Sequence, residues 1–311
     1  MEPGRILVGV DFRPPSLRAA RWAAELAGTA SRVELACVLP CGSRELRRRA
    51  MDGLEGFAST LACPAVGLHV RVGDPVRELC ALLDELRAEL LVLGRHLSGG
   101  SGGRTRERLL RHAQAPALVV GARGATCPRR VLVALDDAGG GARVLAAARG
   151  MVERVGGELT LAHVLPPPLR SPVDPAGDPS AARALPGEDG VAAVHAWLRA
   201  QIADARCAEA EVRTTVRHGE PGAQLLAYVQ RHPVDLVVLG RNGRHAAGPT
   251  ELGSTTRLLA RVAPVAVLVV PPAAPRWRRP DVAESRKPDG RRLRWREIVP
   301  APHAGGSAAG V

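Results

Sequence analysis

Short runs of apolar residues alternate along this chain with longer segments in which apolar residues recur at helical spacing. In the first 121 residues the short runs occupy 5–10, 33–38, 66–71, 90–94 and 117–121, and helical patterns cover about 15–28, 43–61, 75–87 and 104–113. The run 236–239, later in the chain, is apolar throughout and short enough for a strand buried on both faces, as in parallel sheets. The pattern therefore predicts an α/β fold with five parallel strands, covered on both sides by helices in right-handed crossovers.

The same order of elements occurs twice. RILVGVD at 5–11 recurs as RVLVALD at 130–136, and LLVLGR at 90–95 recurs as LVVLGR at 236–241. The offset between the copies grows from 125 to 146 residues, which places an insertion of about twenty residues inside the second copy. The repeats predict a tandem duplication of one α/β unit.

We expect two domains, over residues 1–124 and 128–272, followed by a tail over 273–311. The insertion in the second copy lies within 166–190, which is rich in Pro, Gly and Asp. It is either a lid near the ligand site or a plain surface insertion. The tail is rich in Pro and Arg and has no sustained apolar period, so we predict that it is disordered.

The net charge of +12 is unevenly distributed, because residues 276–297 hold nine Arg or Lys against four acids. Trp277 and Trp295 in this basic tail are each flanked by Arg. Such a pattern could stack on nucleic acid bases or hold an acidic partner, and the alternative is a solubilising tail with no fixed partner. Elsewhere the charges are mixed, so we expect no nucleic acid contact outside the tail.

The cysteines and the N-terminal sequence predict a cytoplasmic protein. The six cysteines form no C-x-x-C pair and no zinc-type spacing, which favours small buried hydrophobes in a reducing compartment. The chain enters its first apolar run at Ile6 without a signal peptide, and no apolar run is long enough to span a bilayer.

A glycine-rich loop follows the apolar run 236–239 in the second copy and leads into a helical pattern. Its fixed points are Gly240, Gly243 and the pair Gly253-Ser254, with nine residues between the second and third glycines. Glycines let the backbone approach a ligand closely, and a helix N-terminus offers free amides and a positive dipole end to an anion. The alternative is an ordinary turn with a helix cap.

This strand, loop, helix and strand resemble the nucleotide-binding signature of the universal stress protein family, in residue type and in spacing. The resemblance covers 5–121 and 129–271. It implies two tandem Rossmann-like domains of the adenine nucleotide alpha hydrolase-like kind, each with a five-stranded parallel sheet of order 3-2-1-4-5. It also implies an internal pseudo-dimer in which the last strands meet, here the runs 117–120 and 265–270.

The resemblance assigns ATP to the second copy. Gly240, Gly243, Gly253 and Ser254 would hold the phosphates, and Asp136 and Val164 would contact the nucleoside. Two neighbours are counted with this site, Arg241 as a further donor in the loop and Thr255 at the start of the helix. Mg²⁺ would arrive with the nucleotide rather than in a protein cage, and no residue is assigned as a metal ligand or catalyst.

The first copy keeps Asp11 and Gly94 but departs from the pattern afterwards. Leu97 replaces the second glycine, Arg104 stands where serine is expected, and the loop is four residues shorter. We expect a degenerate copy that binds no nucleotide. Because 98–103 is still rich in glycine, anion binding with help from Arg104 stays open as the alternative.

The resulting hypothesis is an ATP-binding, nucleotide-responsive regulator of stress or dormancy that is not an enzyme. Its regulated partner is unknown, and a homodimer is possible. The first alternative is a scaffold or interaction module of the same fold that binds no nucleotide. A weaker alternative is slow ATP hydrolysis supported by Asp136 and phosphate-bound Mg²⁺.

Overall fold

The structure is a computed structural model that describes residues 4–95, 101–122, 127–136, 140–165, 188–204, 212–243, 248 and 250–272. The basic tail, most of the 166–190 insertion, Leu97 and loop residues 244–247 lie outside the described residues. The lid hypothesis and the disorder predicted for the tail therefore stay predictions.

Both copies contain the alternating strands and helices that the hydrophobic pattern predicts. The first copy comprises β1 (Gly4–Gly9), α1 (Pro14–Ala27), β2 (Ser31–Leu39), α2 (Arg44–Ala58), β3 (Val66–Val72), α3 (Pro75–Glu85), β4 (Leu90–Gly94), α4 (Ser101–His112) and β5 (Ala117–Val120). The second comprises β6 (Arg130–Ala134), α5 (Gly141–Val155), β7 (Glu158–Leu165), α6 (Glu188–Asp204), β8 (Val212–His218), α7 (Pro221–Arg231), β9 (Leu236–Gly240), α8 (Ser254–Val262) and β10 (Ala266–Val270).

The start of helix α4, beside the glycine-rich run of the first copy, differs from its prediction. Helix α4 begins at Ser101, three residues before the predicted start. Glycine costs about 1 kcal/mol in a helix relative to alanine but does not forbid helical geometry, so the helix extends through the last glycines of the glycine-rich run.

The ten strands form one continuous sheet in the order β3-β2-β1-β4-β5-β10-β9-β6-β7-β8. Each half of the sheet is parallel and carries its own five strands in the order 3-2-1-4-5. The halves join where β5 and β10 pair antiparallel, with Val119 opposite Val267 and Ala117 opposite Val269. The two copies therefore share a sheet, as expected for an internal pseudo-dimer.

Helices cover the sheet on both faces. The apolar cluster on one face takes its helical residues from α1, α2, α5 and α6, and the cluster on the other face takes them from α3, α4, α7 and α8. Because both clusters contain residues of both copies, the hydrophobic core is continuous across the β5–β10 junction. No helix in the described part of the chain is long and apolar enough to cross a bilayer.

A buried acid stabilises the second half of the sheet at the end where its strands β6 and β9 begin. Asp235, 5% exposed, accepts hydrogen bonds from the amides of Arg129 and Arg130 and from the Arg130 guanidinium. Burial alone would raise the pKa of the Asp235 carboxyl, but these hydrogen bonds and the Arg130 charge outweigh it and hold that pKa below its usual value. The contact ties the start of β6 to the start of β9.

Candidate functional site

The candidate site lies at the C-terminal ends of β6, β7 and β9. In an open parallel sheet the crossovers change face at one point in the strand order, and the loops there diverge to leave a crevice. In the second copy this point lies between β6 and β9, which are neighbours in the sheet. Asp136 follows β6 and the glycine-rich loop follows β9, so both predicted parts of the site border this crevice.

Backbone hydrogen bonds hold the first part of the loop against the start of α8. The amide of Arg241 donates to the carbonyl of Val270 at 2.7 Å, and the amide of Gly253 donates to the carbonyl of Arg241 at 2.9 Å. The hydroxyl of Thr256 donates to the carbonyl of Gly240 at 2.8 Å. The glycines on either side of the nine-residue spacing are thereby brought together, as the spacing predicts.

Gly243, Gly253 and Asp136 lie so close together that a side chain on either glycine would contact its neighbours. A Cβ atom at Gly243 would lie 3.3 Å from Oδ2 of Asp136, and one at Gly253 would lie 3.4 Å from the amide nitrogen of Gly243. Three of the predicted site residues therefore line one narrow space. Because neither glycine carries a side chain, an anion such as phosphate can approach the backbone here directly.

The N-terminus of α8 completes this cradle. The helix has nine residues, and its cap residue Gly253 has no side chain to bond the amides of the first turn. Ser254 is exposed and Thr255 is half-buried, so the hydroxyl of Ser254 is accessible beside those amides. Amides and helix dipole together favour an anion at this position.

Sequence reasoning missed two polar residues that shape the loop. Thr256 closes the contact between α8 and the end of β9 described above. Asn242 donates from its side-chain amide to the carbonyl of Gly248 at 2.7 Å, which folds the loop back on itself. An Asn directly before Gly is a common turn signal, so Asn242 was detectable in the sequence, whereas the partner of Thr256 was not.

Val164 lies near the end of β7, where its backbone faces the crevice. The register between β6 and β7 ends with Ala134 opposite Ala162, and Leu135 donates from its amide to the carbonyl of Ala162 at 2.9 Å. Because strand residues two apart direct their backbone polar groups to the same neighbour, Val164 directs its amide and carbonyl toward the chain that leaves β6. This is the edge at which the nucleoside contact is predicted.

His163 is a buried strand residue. It is 2% exposed, its Nδ1 lies 2.8 Å from the carbonyl of Leu135, and its ring packs edge-on against Trp197 with centroids 5.4 Å apart. These contacts fix the turn that presents Asp136. They agree with the interpretation of His163 as a structural residue rather than a catalyst.

The side chain of Arg241, predicted as a donor to the nucleotide, points away from the crevice. The guanidinium is buried and points into the first copy, where Nη1 donates to the carbonyls of Arg111 and Ala113 at 2.8 and 2.9 Å. Burial also lowers the pKa of Arg241. The residue type suggested a phosphate donor, but the C-terminal carbonyls of α4 need donors as well and lie within reach.

In the first copy the start of α1 packs closely onto the end of β4, beside the equivalent crevice. A Cβ atom at Gly94 would lie 2.4 Å from the carbonyl carbon of Pro15, at the start of α1. At the matching Gly240 the nearest atoms in the described part of the chain are 3.2 Å or more away and belong to Asn242 and Val144. Asp11 is exposed and accepts from the amide of Arg13 at 3.1 Å.

Arg104, the predicted phosphate donor of the first copy, is an exposed residue of α4. Residues 96–100 lie outside the described residues, so anion binding by this loop stays an untested alternative.

Two solved structures share the fold of most of this chain. A universal stress protein from Archaeoglobus fulgidus has 20% sequence identity and a TM-score of 0.63, and the match covers 86% of this chain and 96% of that one. A putative universal stress protein from Pseudomonas aeruginosa has 15% identity and a TM-score of 0.59 over 86% and 93% of the two chains. No curated protein sequence matches the chain.

A sequence description of the universal stress protein family matches the chain twice, over residues 3–121 and 128–271. The two matches together span well over half of the chain and coincide with the two halves of the sheet. The chain therefore belongs to the universal stress protein family, of which it is a tandem, two-domain member.

Proposed function

We propose that the second copy binds ATP in the crevice between β6 and β9, and that the chain acts as a nucleotide-responsive regulator in a stress or dormancy response. One observation carries this proposal: Gly243, Gly253 and the start of α8 converge beside Asp136, where the two glycines leave the backbone uncovered by side chains. In this proposal the first copy contributes no second nucleotide site, since the start of α1 packs onto Gly94.

Each residue of the site has a role suited to its chemistry. The glycines 240, 243 and 253 give the phosphates access to backbone amides, and the hydroxyls of Ser254 and Thr255 add donors at the positive end of α8. Asp136 accepts hydrogen bonds, which suits ribose hydroxyls rather than phosphate. The backbone of Val164 offers a donor and an acceptor to the edge of the adenine.

Mg²⁺ belongs to the bound nucleotide in this proposal. Magnesium retains several waters and is usually held by one or two carboxylates together with substrate phosphates. Asp136 would be the carboxylate that accepts a hydrogen bond from one of those waters.

Binding rather than turnover is the proposed activity. Hydrolysis needs a residue that orients or deprotonates the attacking water, and the donors at this cradle are amides and hydroxyls. The alternative, slow hydrolysis dependent on Asp136, predicts phosphate release that Asp136→Ala abolishes.

We also place this role in the cytoplasm. Cys37, Cys41, Cys63, Cys80 and Cys127 are free thiols, and free thiols are typical of a reducing compartment.

Thermal unfolding of the full chain with and without Mg-ATP tests the proposal, with Mg²⁺ alone as the control. A ligand at about one hundred times its dissociation constant adds about 2.7 kcal/mol to the free energy of unfolding. We expect a raised Tm with Mg-ATP and none with Mg²⁺. Equal unfolding temperatures up to millimolar Mg-ATP would favour the scaffold alternative, in which the fold serves only as an interaction module.

A further inference from the structure

Arg95 and Arg241 occupy equivalent positions, directly after β4 and β9, and each crosses into the other copy. Nη2 of Arg95 donates to the carbonyl of Val265, just beyond α8, at 3.0 Å. Nη1 of Arg241 donates to the carbonyls of Arg111 and Ala113 at the end of α4. Both arginines are 2% exposed. The two copies are thus joined by a pair of reciprocal arginine contacts as well as by the sheet.

The chemistry of the Arg241 contact makes it hard to exchange for water. The last carbonyls of α4 have no intrahelical partner and carry the negative end of the helix dipole, so a buried guanidinium that donates to them gives both groups a partner. The Nε atoms of both arginines are buried and have no hydrogen-bond partner among the described residues. The bonds from Nη1 and Nη2 are therefore what compensates the burial of each guanidinium.

Arg241 differs from Arg95 because it belongs to the proposed phosphate loop. Its amide bonds β10 through Val270, its carbonyl accepts from the amide of Gly253, and its side chain bonds α4. One residue thus links the start of the loop to the last strand, to the start of α8 and to the first copy. Gly243 follows two residues later.

We propose that Arg241 is a positioning residue, which holds the phosphate loop of the second copy in its binding geometry by anchoring it to α4 of the first copy. This inference rests on the proposed function. It gives the first copy a task that needs no ligand of its own: the first copy sets the nucleotide affinity of the second. Movement of α4 would be transmitted to the loop through the side chain of Arg241.

Arg95 provides the matched control. It makes the same kind of contact across the same junction, and burial together with the neighbouring charge of Arg106 lowers its pKa to about 10. Its carbonyl partner lies beyond the C-terminal end of α8, at the opposite end from the proposed phosphate cradle. Removing Arg95 therefore weakens the junction without releasing the loop.

The experiment compares Arg241→Ala and Arg241→Gln with Arg95→Ala in the full chain. Calorimetric titration with Mg-ATP, well below Tm, gives Kd, and amide hydrogen exchange follows residues 240–243 and 250–256. We expect Kd to rise by about tenfold or more in both Arg241 variants, equivalent to about 1.4 kcal/mol or more, and by less than about twofold in Arg95→Ala. The loop amides, including that of Gly253, should exchange faster in the Arg241 variants only.

A conservative variant separates anchoring from general stability. A single nitrogen, Nη1 of Arg241, meets the α4 carbonyls, so the ammonium of Arg241→Lys can replace it as a point donor. We expect the Kd of Arg241→Lys to lie within about threefold of the wild-type value. A tenfold rise would correspond to a loss of about 1.4 kcal/mol. Arg241→Gln, which keeps the side chain longer than Ala does, serves if Arg241→Ala does not fold.

Two results would overturn the inference. One is an unchanged Kd and unchanged loop exchange in the Arg241 variants, and the other is an equal loss of affinity in Arg95→Ala, which would indicate a general effect of the junction. A wild type that binds no nucleotide would instead refute the proposed function. In that case loop exchange alone decides whether Arg241 anchors the loop, with faster exchange in the Arg241 variants supporting the anchor and equal exchange refuting it.

Discussion

Gly94 lies directly against the backbone of Pro15, so closely that a Cβ atom on Gly94 would be 2.4 Å from the Pro15 carbonyl carbon. Its counterpart Gly240 has no atom of the described residues nearer than 3.2 Å at the same position. The difference follows from where the next helix begins: α1 starts three residues after Asp11, whereas α5 starts five residues after Asp136. Among the described residues, the two copies of one fold therefore differ in how closely a helix covers the strand end beside the crevice.

The narrow space beside Asp136 predicts the effect of enlarging Gly243. In Gly243→Val the new side chain meets the Asp136 carboxylate and occupies the proposed phosphate position. The stabilisation by Mg-ATP, about 2.7 kcal/mol at one hundred times Kd, should be lost. Gly248→Val is the matched control, because a Cβ atom at Gly248 meets no atom of the described residues within 4 Å. Loss of the Mg-ATP shift in both variants, or in neither, would contradict this placement of the phosphates.

Binding of Mg-ATP should require the charged carboxylate of Asp136. Asp136→Asn keeps the size of the side chain but removes a charged acceptor, whose hydrogen bonds contribute about 1.5–3 kcal/mol. We expect the Kd for Mg-ATP to rise by roughly ten- to a hundredfold. Asp11→Asn makes the same change in the first copy and should leave Kd unaltered. A larger effect of Asp11→Asn would move the site to the first copy.

The junction between the copies should be sensitive to a single methyl group at Gly121. A Cβ atom there would lie 2.6 Å from the carbonyl oxygens of Pro264 and Val265, which are backbone atoms that cannot turn away. Gly121→Ala should lower the free energy of unfolding by about 1–3 kcal/mol. Gly56→Ala is the control, since its Cβ meets nothing within 4 Å and a helical alanine is favoured by about 0.5–1 kcal/mol. Urea titration measures both, and equal midpoints would refute the close approach.

Asp235 should make the free energy of unfolding depend on pH. Because hydrogen bonding holds its folded pKa below that of the unfolded chain, about 3.9, its stabilisation is complete above the unfolded pKa and is lost as pH falls through the folded pKa. Asp235→Asn should cost about 1.5–3 kcal/mol at neutral pH and should flatten the decline of stability below about pH 4. Urea midpoints of wild type and variant that stay equally far apart from pH 7 to pH 2 would contradict this role.

Much of this architecture could be predicted from the sequence because it depends on local patterns. The apolar runs marked the strands of both copies, and the glycine spacing brought Gly243 and Gly253 to one place. The partner of Arg241 could not be predicted, since α4 lies about 130 residues earlier in the chain and nothing near Arg241 specifies it. The contact of Gly94 with Pro15 was hidden for a similar reason, because it depends on how closely α1 packs over β4.

Calorimetric titration of the full chain with Mg-ATP tests the central claim most directly, because it counts sites as well as measuring affinity. The account places one site in the second copy and none in the first, so it predicts one ATP per chain, and no binding heat in Gly243→Val. Two ATP per chain, or one that persists in Gly243→Val, would contradict the account.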